Sequence, residues 1–181
     1  MFIKKILFSL LAFGMILSIS GCESKPEEER DVIVEDYGSV PAETAEVLVA
    51  KFNTNVVDNS TLNPASDDYL TTHENAYWYG LITGLYLIVY PKEFSGDLSK
   101  DIVDYMVIYV EKGSEFASDA TKYLEYLIKA NNPEITTDEI NELVDQAKKT
   151  ANDTTANNGK GIDIGYVEDE ETIQYQVIRL S

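Results

Sequence analysis

The stretch "AYWYGLITGLYLIVYP", residues 76–91, decides how the middle of this chain folds. It is dense in aromatic and β-branched residues, which pack well on a pleated sheet. In its second half, leucine or valine alternates with tyrosine or isoleucine at every second position. Thr83-Gly84 divides the stretch, because glycine suits the backbone of a tight turn, and Pro91 ends it. The stretch therefore predicts two antiparallel strands joined by a short turn.

Three further strands are predicted on the C-terminal side of this hairpin. The run "IVDYMVIYVE", residues 102–111, keeps a period of two for eight residues, which favours a strand over a helix. The chain then ends with "GIDIGYVE" and "TIQYQVIRL" on either side of the acidic turn Asp169-Glu170-Glu171. Alternation in the last run predicts a strand with one buried and one solvated face.

Helical periodicity appears in three segments. "SVPAETAEVLVAKFNTN", residues 39–55, predicts a first helix with Pro41 in its first turn. A second helix is predicted to end at Asn131-Asn132-Pro133. The third has the clearest start, because Thr136 and Glu139 have the spacing of a capping box. The apolar positions of the three helices are Ala45, Leu48, Val49 and Phe52; Phe116, Ala120, Leu124, Leu127 and Ile128; and Ile140, Leu143, Val144, Ala147 and Ala151.

Together these segments predict an α+β fold with the order helix, three strands, two helices, two strands. Hairpin connections and helices grouped away from the strands are typical of a mainly antiparallel sheet, here of about five strands with three helices. We predict a single globular domain over residues 37–181. Residues 53–75 are polar and are predicted to form a long loop, which in a compact domain is often functional.

The composition excludes several classes of function. The chain of 181 residues has 14 basic and 32 acidic residues and a formal net charge of -18, which argues against binding to nucleic acid. With one cysteine and one histidine, it lacks the usual zinc ligand sets. The acidic stretch from Asp58 to Asp68 lacks the spacing of an EF-hand loop, although a calcium-dependent module stays open as a third hypothesis. We expect no metal site and no cofactor.

Two groups of residues are candidates for a functional site. Aromatic residues on the predicted strands, with Tyr77, Trp78 and Tyr79 as the first candidates, can stack on a sugar or hold an extended peptide if one sheet face is open. If helices cover that face, the same rings are core residues. His73 with Glu74 is the alternative site, as the general base of a hydrolase, although a loop histidine without a catalytic role is the simpler interpretation.

The N-terminus has the pattern of an export signal. Lys4 and Lys5 precede an apolar run from Ile6 to Ile19, which at 14 residues is shorter than the roughly 20 that a membrane-spanning helix needs. The run closes on "ISGC", residues 19–22, which resembles the lipobox of bacterial lipoproteins. This resemblance implies cleavage between Gly21 and Cys22 and attachment of a lipid to the Cys22 thiol.

The resemblance places the mature chain on the outer face of the cell membrane. It implies a signal peptide over residues 1–21, and the charged residues that follow predict an acidic, flexible tether over residues 22–36. The general layout and the ending from "NNGKG" to "YQVIR" are also similar to small uncharacterised lipoproteins of Gram-positive bacteria. We expect a lipid-anchored binding or accessory module with a protein, peptide or glycan ligand, rather than an enzyme; the alternative is a cell-envelope hydrolase that uses His73.

Overall fold

The hairpin at residues 76–91 forms as the sequence predicts. Strands β2 (Ala76–Ile82) and β3 (Leu85–Pro91) pair antiparallel. The turn needs glycine at position 84, where φ is 77° and a Cβ atom would lie 2.7 Å from the Cβ of Ser114. This hairpin forms one half of a larger sheet.

The computed structural model describes residues 38–59, 61–152, 155–157 and 159–180. The other elements of this part are α1 (Ala45–Asn59), β1 (Leu70–His73), β4 (Val103–Glu111), α2 (Ala120–Asn131), α3 (Thr137–Lys149), β5 (Ala156–Asn157), β6 (Ile162–Glu168) and β7 (Thr172–Arg179), with single 3-10 turns at Asp67–Tyr69 and Ala117–Asp119. The predicted signal peptide, Cys22 and the predicted tether lie outside the described residues.

The α+β class is confirmed, but the predicted number of strands is wrong in detail. Within the residues that the structure describes, the sheet has seven strands in the order β1-β2-β3-β4-β7-β6-β5, and all neighbouring pairs are antiparallel. The two strands that the sequence did not predict are β1 and β5, which form the two edges. An edge strand has only one neighbour, and β1 has three exposed residues out of four, so its sequence lacks the alternation of a half-buried strand.

The prediction of a long loop over residues 53–75 is also wrong, because the segment contains regular structure. Helix α1 continues to Asn59, and the rest of the segment holds a 3-10 turn and strand β1. The side chain of Ser66 accepts a hydrogen bond from the backbone N–H of Asp68 and caps that turn. The segment is polar because its helical end, its turn and its edge strand are mostly exposed, not because it lacks structure.

The helices match most of the predicted apolar positions, with two changes at their starts and one at an end. Helix α3 ends at Lys149, so Ala151 lies beyond the helix and is only half-buried. Helix α1 begins at Ala45, so Pro41 precedes it, and α2 begins at Ala120, so Phe116 also lies outside the helix. Asn131 ends α2 as predicted. At α3 both hydrogen bonds of the capping box between Thr136 and Glu139 are present.

All three helices pack on one face of the sheet. The main core joins the inward residues of the strands to the apolar stripes of α1, α2 and α3, including Leu48 and Phe52 of α1 and Leu124 of α2. Within the described ranges, no helix has both the length and the apolar composition that crossing a membrane requires. The opposite face of the sheet has a separate, smaller apolar cluster, to which none of the helices in the described part of the chain contributes.

Candidate functional site

The face of the sheet opposite the helices carries five of the aromatic residues of the predicted strands. Strand register aligns three rows across it: Trp78–Ile88–Val107–Gln176–Gly165, Gly80–Tyr86–Tyr109–Gln174–Val167 and Tyr90–Tyr105–Ile178–Asp163. We call this surface the aromatic face, after its five half-buried rings, Trp78, Tyr86, Tyr90, Tyr105 and Tyr109. Because the helices lie on the other side, these rings form the outer layer of the described structure here.

Three of the rings form a triad. The ring centroids of Trp78, Tyr86 and Tyr109 lie 5.8–6.1 Å from one another, with interplanar angles of 57–67°. Tilted and edge-to-face contacts at this distance are favourable for aromatic pairs. The three side chains come from β2, β3 and β4, so the triad joins neighbouring strands and the pairing of the strands fixes its geometry.

The other two rings form a stacked pair. The centroids of Tyr90 and Tyr105 lie 4.4 Å apart and the rings are inclined by only 12°. Burial raises the pKa of both hydroxyls; the charge of Glu74 adds to the effect at Tyr90, and Tyr90 itself adds to it at Tyr105. Both phenols are therefore neutral at physiological pH and can donate a hydrogen bond to a ligand.

A small apolar floor lies beneath the five rings. Ala76, Ile88 and Val107 are at most 2% exposed and belong to the same cluster as the aromatic side chains. The indole Nε1 of Trp78 is also buried, and among the described residues it has no hydrogen-bond partner. A buried N–H without an acceptor costs free energy, on the order of 1–3 kcal/mol.

The charge at this face is negative. None of the positions in the three rows is lysine or arginine. Glu111, which is exposed at the end of β4, accepts a 3.5 Å hydrogen bond from the hydroxyl of Tyr86 and helps raise its pKa, although burial is the larger cause. Glu74 acts on Tyr90 through its charge, so each group of rings has a carboxylate beside it.

Comparison with known proteins gives no relative. No protein-family model, curated protein or solved structure matches this chain.

Of the three aromatic residues that the sequence put first, only Trp78 belongs to the aromatic face. Tyr77 and Tyr79 point to the helical side, where each is 1% exposed in the main core. The prediction that these two rings contact a ligand is therefore corrected: a fully buried ring offers no surface for stacking. Their place in the candidate site is taken by Tyr86, Tyr90, Tyr105 and Tyr109, which the sequence had placed on strands but not on a face.

His73 and Glu74 lie at the margin of the aromatic face, at the end of β1 and in the turn before β2. The Nδ1 atom of His73 is 3.8 Å from Oε1 of Glu74, and their side chains are 66% and 72% exposed. The imidazole also lies 6.0 Å, centroid to centroid, from the ring of Trp78. A pair this exposed does not keep water away from a substrate, so its geometry does not favour the hydrolase hypothesis.

The acidic stretch from Asp58 to Asp68 does not converge on a point. Asp58 is in α1, whereas Asp67 and Asp68 are in the 3-10 turn. Within the part of the chain that the structure describes, no group of three or more His, Cys, Asp or Glu side chains could hold a metal ion.

Proposed function

We propose that this chain is a lipid-anchored binding protein on the outer face of the cell membrane, and that the aromatic face is its ligand-binding surface. The observation that carries the proposal is the layer of five half-buried rings on the side of the sheet away from the helices. A soluble domain normally covers such a layer or uses it, because large exposed apolar patches favour association. Flat rings with neutral hydroxyls at their edges suit stacking and hydrogen bonding to an extended ligand.

The first expected result concerns the anchor. Cys22→Ala should move the protein from the membrane fraction to the soluble fraction and abolish incorporation of a labelled fatty acid, because the thiol that accepts the lipid is lost. Ser24→Ala, two residues further on, is the matched control and should behave like the unaltered protein. Incorporation of the labelled fatty acid into the Cys22→Ala protein would contradict the anchor.

The second expected result concerns the ligand surface. Tyr109→Ala should weaken ligand binding at least about tenfold, because it removes the ring that contacts both Trp78 and Tyr86. The chain has a single tryptophan, so the emission of Trp78 reports on this face directly. The titration uses the full-length protein in detergent with two probes, a lysine-containing decapeptide and neutral chitohexaose.

Val57→Ala is the control for this experiment, because Val57 is 61% exposed on α1, on the helical side of the sheet. It should leave both titrations unchanged. Urea unfolding of each variant establishes that the compared proteins are folded. If neither probe changes the emission of Trp78 up to millimolar concentration, the aromatic face is not a binding surface for a peptide or a glycan.

A further inference from the structure

We infer that the ligand of the aromatic face is a basic polypeptide segment, held by a lysine or arginine side chain over the rings of Trp78, Tyr86 and Tyr109. This inference rests on the proposed function, because it names the class of ligand for the same surface. Three observations carry it: the geometry of the triad, the charge around it and the poor fit of the other occupants.

The triad brings three aromatic rings close enough together to share one cation. A cation is attracted to an aromatic face when it lies within about 6 Å of the ring centroid, and tryptophan and tyrosine attract it more strongly than phenylalanine does. The three centroids are 5.8–6.1 Å apart. A single cation above the middle of the triad can therefore lie within about 6 Å of all three centroids at once. The buried floor beneath them holds the rings in place.

The charge around the triad favours a cation as well. Glu111 stands beside Tyr86, with its Oε1 atom 3.5 Å from the hydroxyl oxygen, and is exposed to an approaching ligand. The rows of the aromatic face contain no lysine or arginine that would compete for these rings. The formal net charge of -18 adds a long-range attraction for basic partners, which speeds their association.

The other occupants fit this surface less well. A neutral glycan can stack on the rings but gains nothing from the carboxylates beside them. A second copy of this chain would bring a surface with the same carboxylates, and two strongly acidic molecules repel each other. A basic segment is the occupant that uses both the rings and the charge.

The test compares three forms of one peptide, a decapeptide in which lysine alternates with serine, against the full-length protein in detergent. The forms are unmodified, trimethylated at every lysine and acetylated at every lysine. Trimethylation keeps the positive charge and makes the cationic group larger, whereas acetylation removes the charge. If the rings hold the cation, the unmodified and trimethylated peptides should shift the emission of Trp78 with similar affinity, and the acetylated peptide should bind at least about tenfold more weakly.

Two variants distinguish the contribution of the rings to binding from that of the carboxylate. Tyr109→Leu keeps apolar bulk but removes the ring, and should weaken binding of the trimethylated peptide about three- to tenfold. Glu111→Gln should weaken it by a smaller factor that disappears at high salt. Glu46→Gln makes the same change of charge on the exposed side of α1 and should have no effect beyond that of the overall charge.

The outcomes distinguish failure of the basic ligand from failure of the proposed binding surface. Equal affinity for the acetylated and unmodified peptides, or a saturable response to chitohexaose alone, overturns the basic ligand and leaves the proposed binding surface standing. Emission of Trp78 that changes with protein concentration in the absence of any probe overturns it in favour of a second copy. No response to any probe removes the proposed function together with this inference.

Discussion

Phe52→Ala is expected to lower the free energy of unfolding by about 3–5 kcal/mol. Phe52 is fully buried, and its ring stacks on that of Tyr123 with the centroids 6.1 Å apart, which joins α1 to α2. Truncation removes buried apolar surface and leaves a cavity, and both effects destabilise the folded state. Urea unfolding followed by circular dichroism measures the change.

Val57→Ala, on the same helix, provides the comparison. Val57 is 61% exposed, so the same kind of truncation should change the free energy of unfolding by less than about 0.5 kcal/mol. Core truncations of this kind usually cost several kcal/mol. If the free energy of unfolding of Phe52→Ala lies within about 1 kcal/mol of that of the unaltered protein, α1 contributes little to the core.

The burial of Phe52 follows from local sequence alone, and this explains why it could be predicted. Ala45, Leu48, Val49 and Phe52 recur at helical spacing, and all four are buried in the structure. The capping box of α3 is local in the same sense, because its two partners are three residues apart. Signals of this kind need no knowledge of the rest of the chain.

The edges of the sheet could not be predicted in this way. Strand β1 owes its existence to pairing with β2, and its own residues are mainly exposed. Strand β5 has only two residues and pairs with β6. For such short strands the neighbouring strand supplies the stabilisation, so the information lies elsewhere in the sequence.

The division of the aromatic residues between the two faces was only half predictable. The alternation of side chains along a strand puts Trp78 on the opposite face from Tyr77 and Tyr79, but it does not indicate which of the two faces the helices cover. That choice depends on where α1 and α2 cross the sheet, which is decided by contacts between distant parts of the chain. The sequence therefore predicted aromatic strands, and the structure was needed to choose Trp78 over its two neighbours.

Asp101 is the clearest feature for which no sequence pattern gave a signal. It lies at the end of the β3–β4 connection and is only 3% exposed. Its carboxylate accepts hydrogen bonds from the hydroxyl of Tyr77 at 2.5 Å, from the N–H and hydroxyl of Ser95, and from the N–H of Gly96 at 3.3 Å. These bonds tie the connection to the buried tyrosine of β2.

Asp101→Asn is expected to lower the free energy of unfolding by about 2–4 kcal/mol, because it removes a buried carboxylate that satisfies four donor groups. The amide keeps the shape of the side chain but turns a donor towards groups that are themselves donors. Asp68→Asn, an exposed substitution of the same type, should change stability by less than about 0.5 kcal/mol. Equal urea midpoints for the two variants would contradict the role of Asp101.

The pH dependence of this effect identifies its cause. Burial alone would raise the pKa of Asp101, but the hydrogen bonds from Ser95 and Tyr77 outweigh it and hold the pKa below its usual value. A lowered pKa in the folded state stabilises the fold above the unfolded pKa of about 3.9, and this contribution is lost as the pH falls further.

The other acids titrate in both the unaltered protein and Asp101→Asn, so their contributions cancel in the difference between the two. The difference in the free energy of unfolding between the unaltered protein and Asp101→Asn should therefore be constant near pH 7 and narrow below about pH 4. A difference that stays constant down to about pH 2 would contradict the lowered pKa and would mean that the misplaced amide donor, and not the loss of the carboxylate's charge, destabilises the variant.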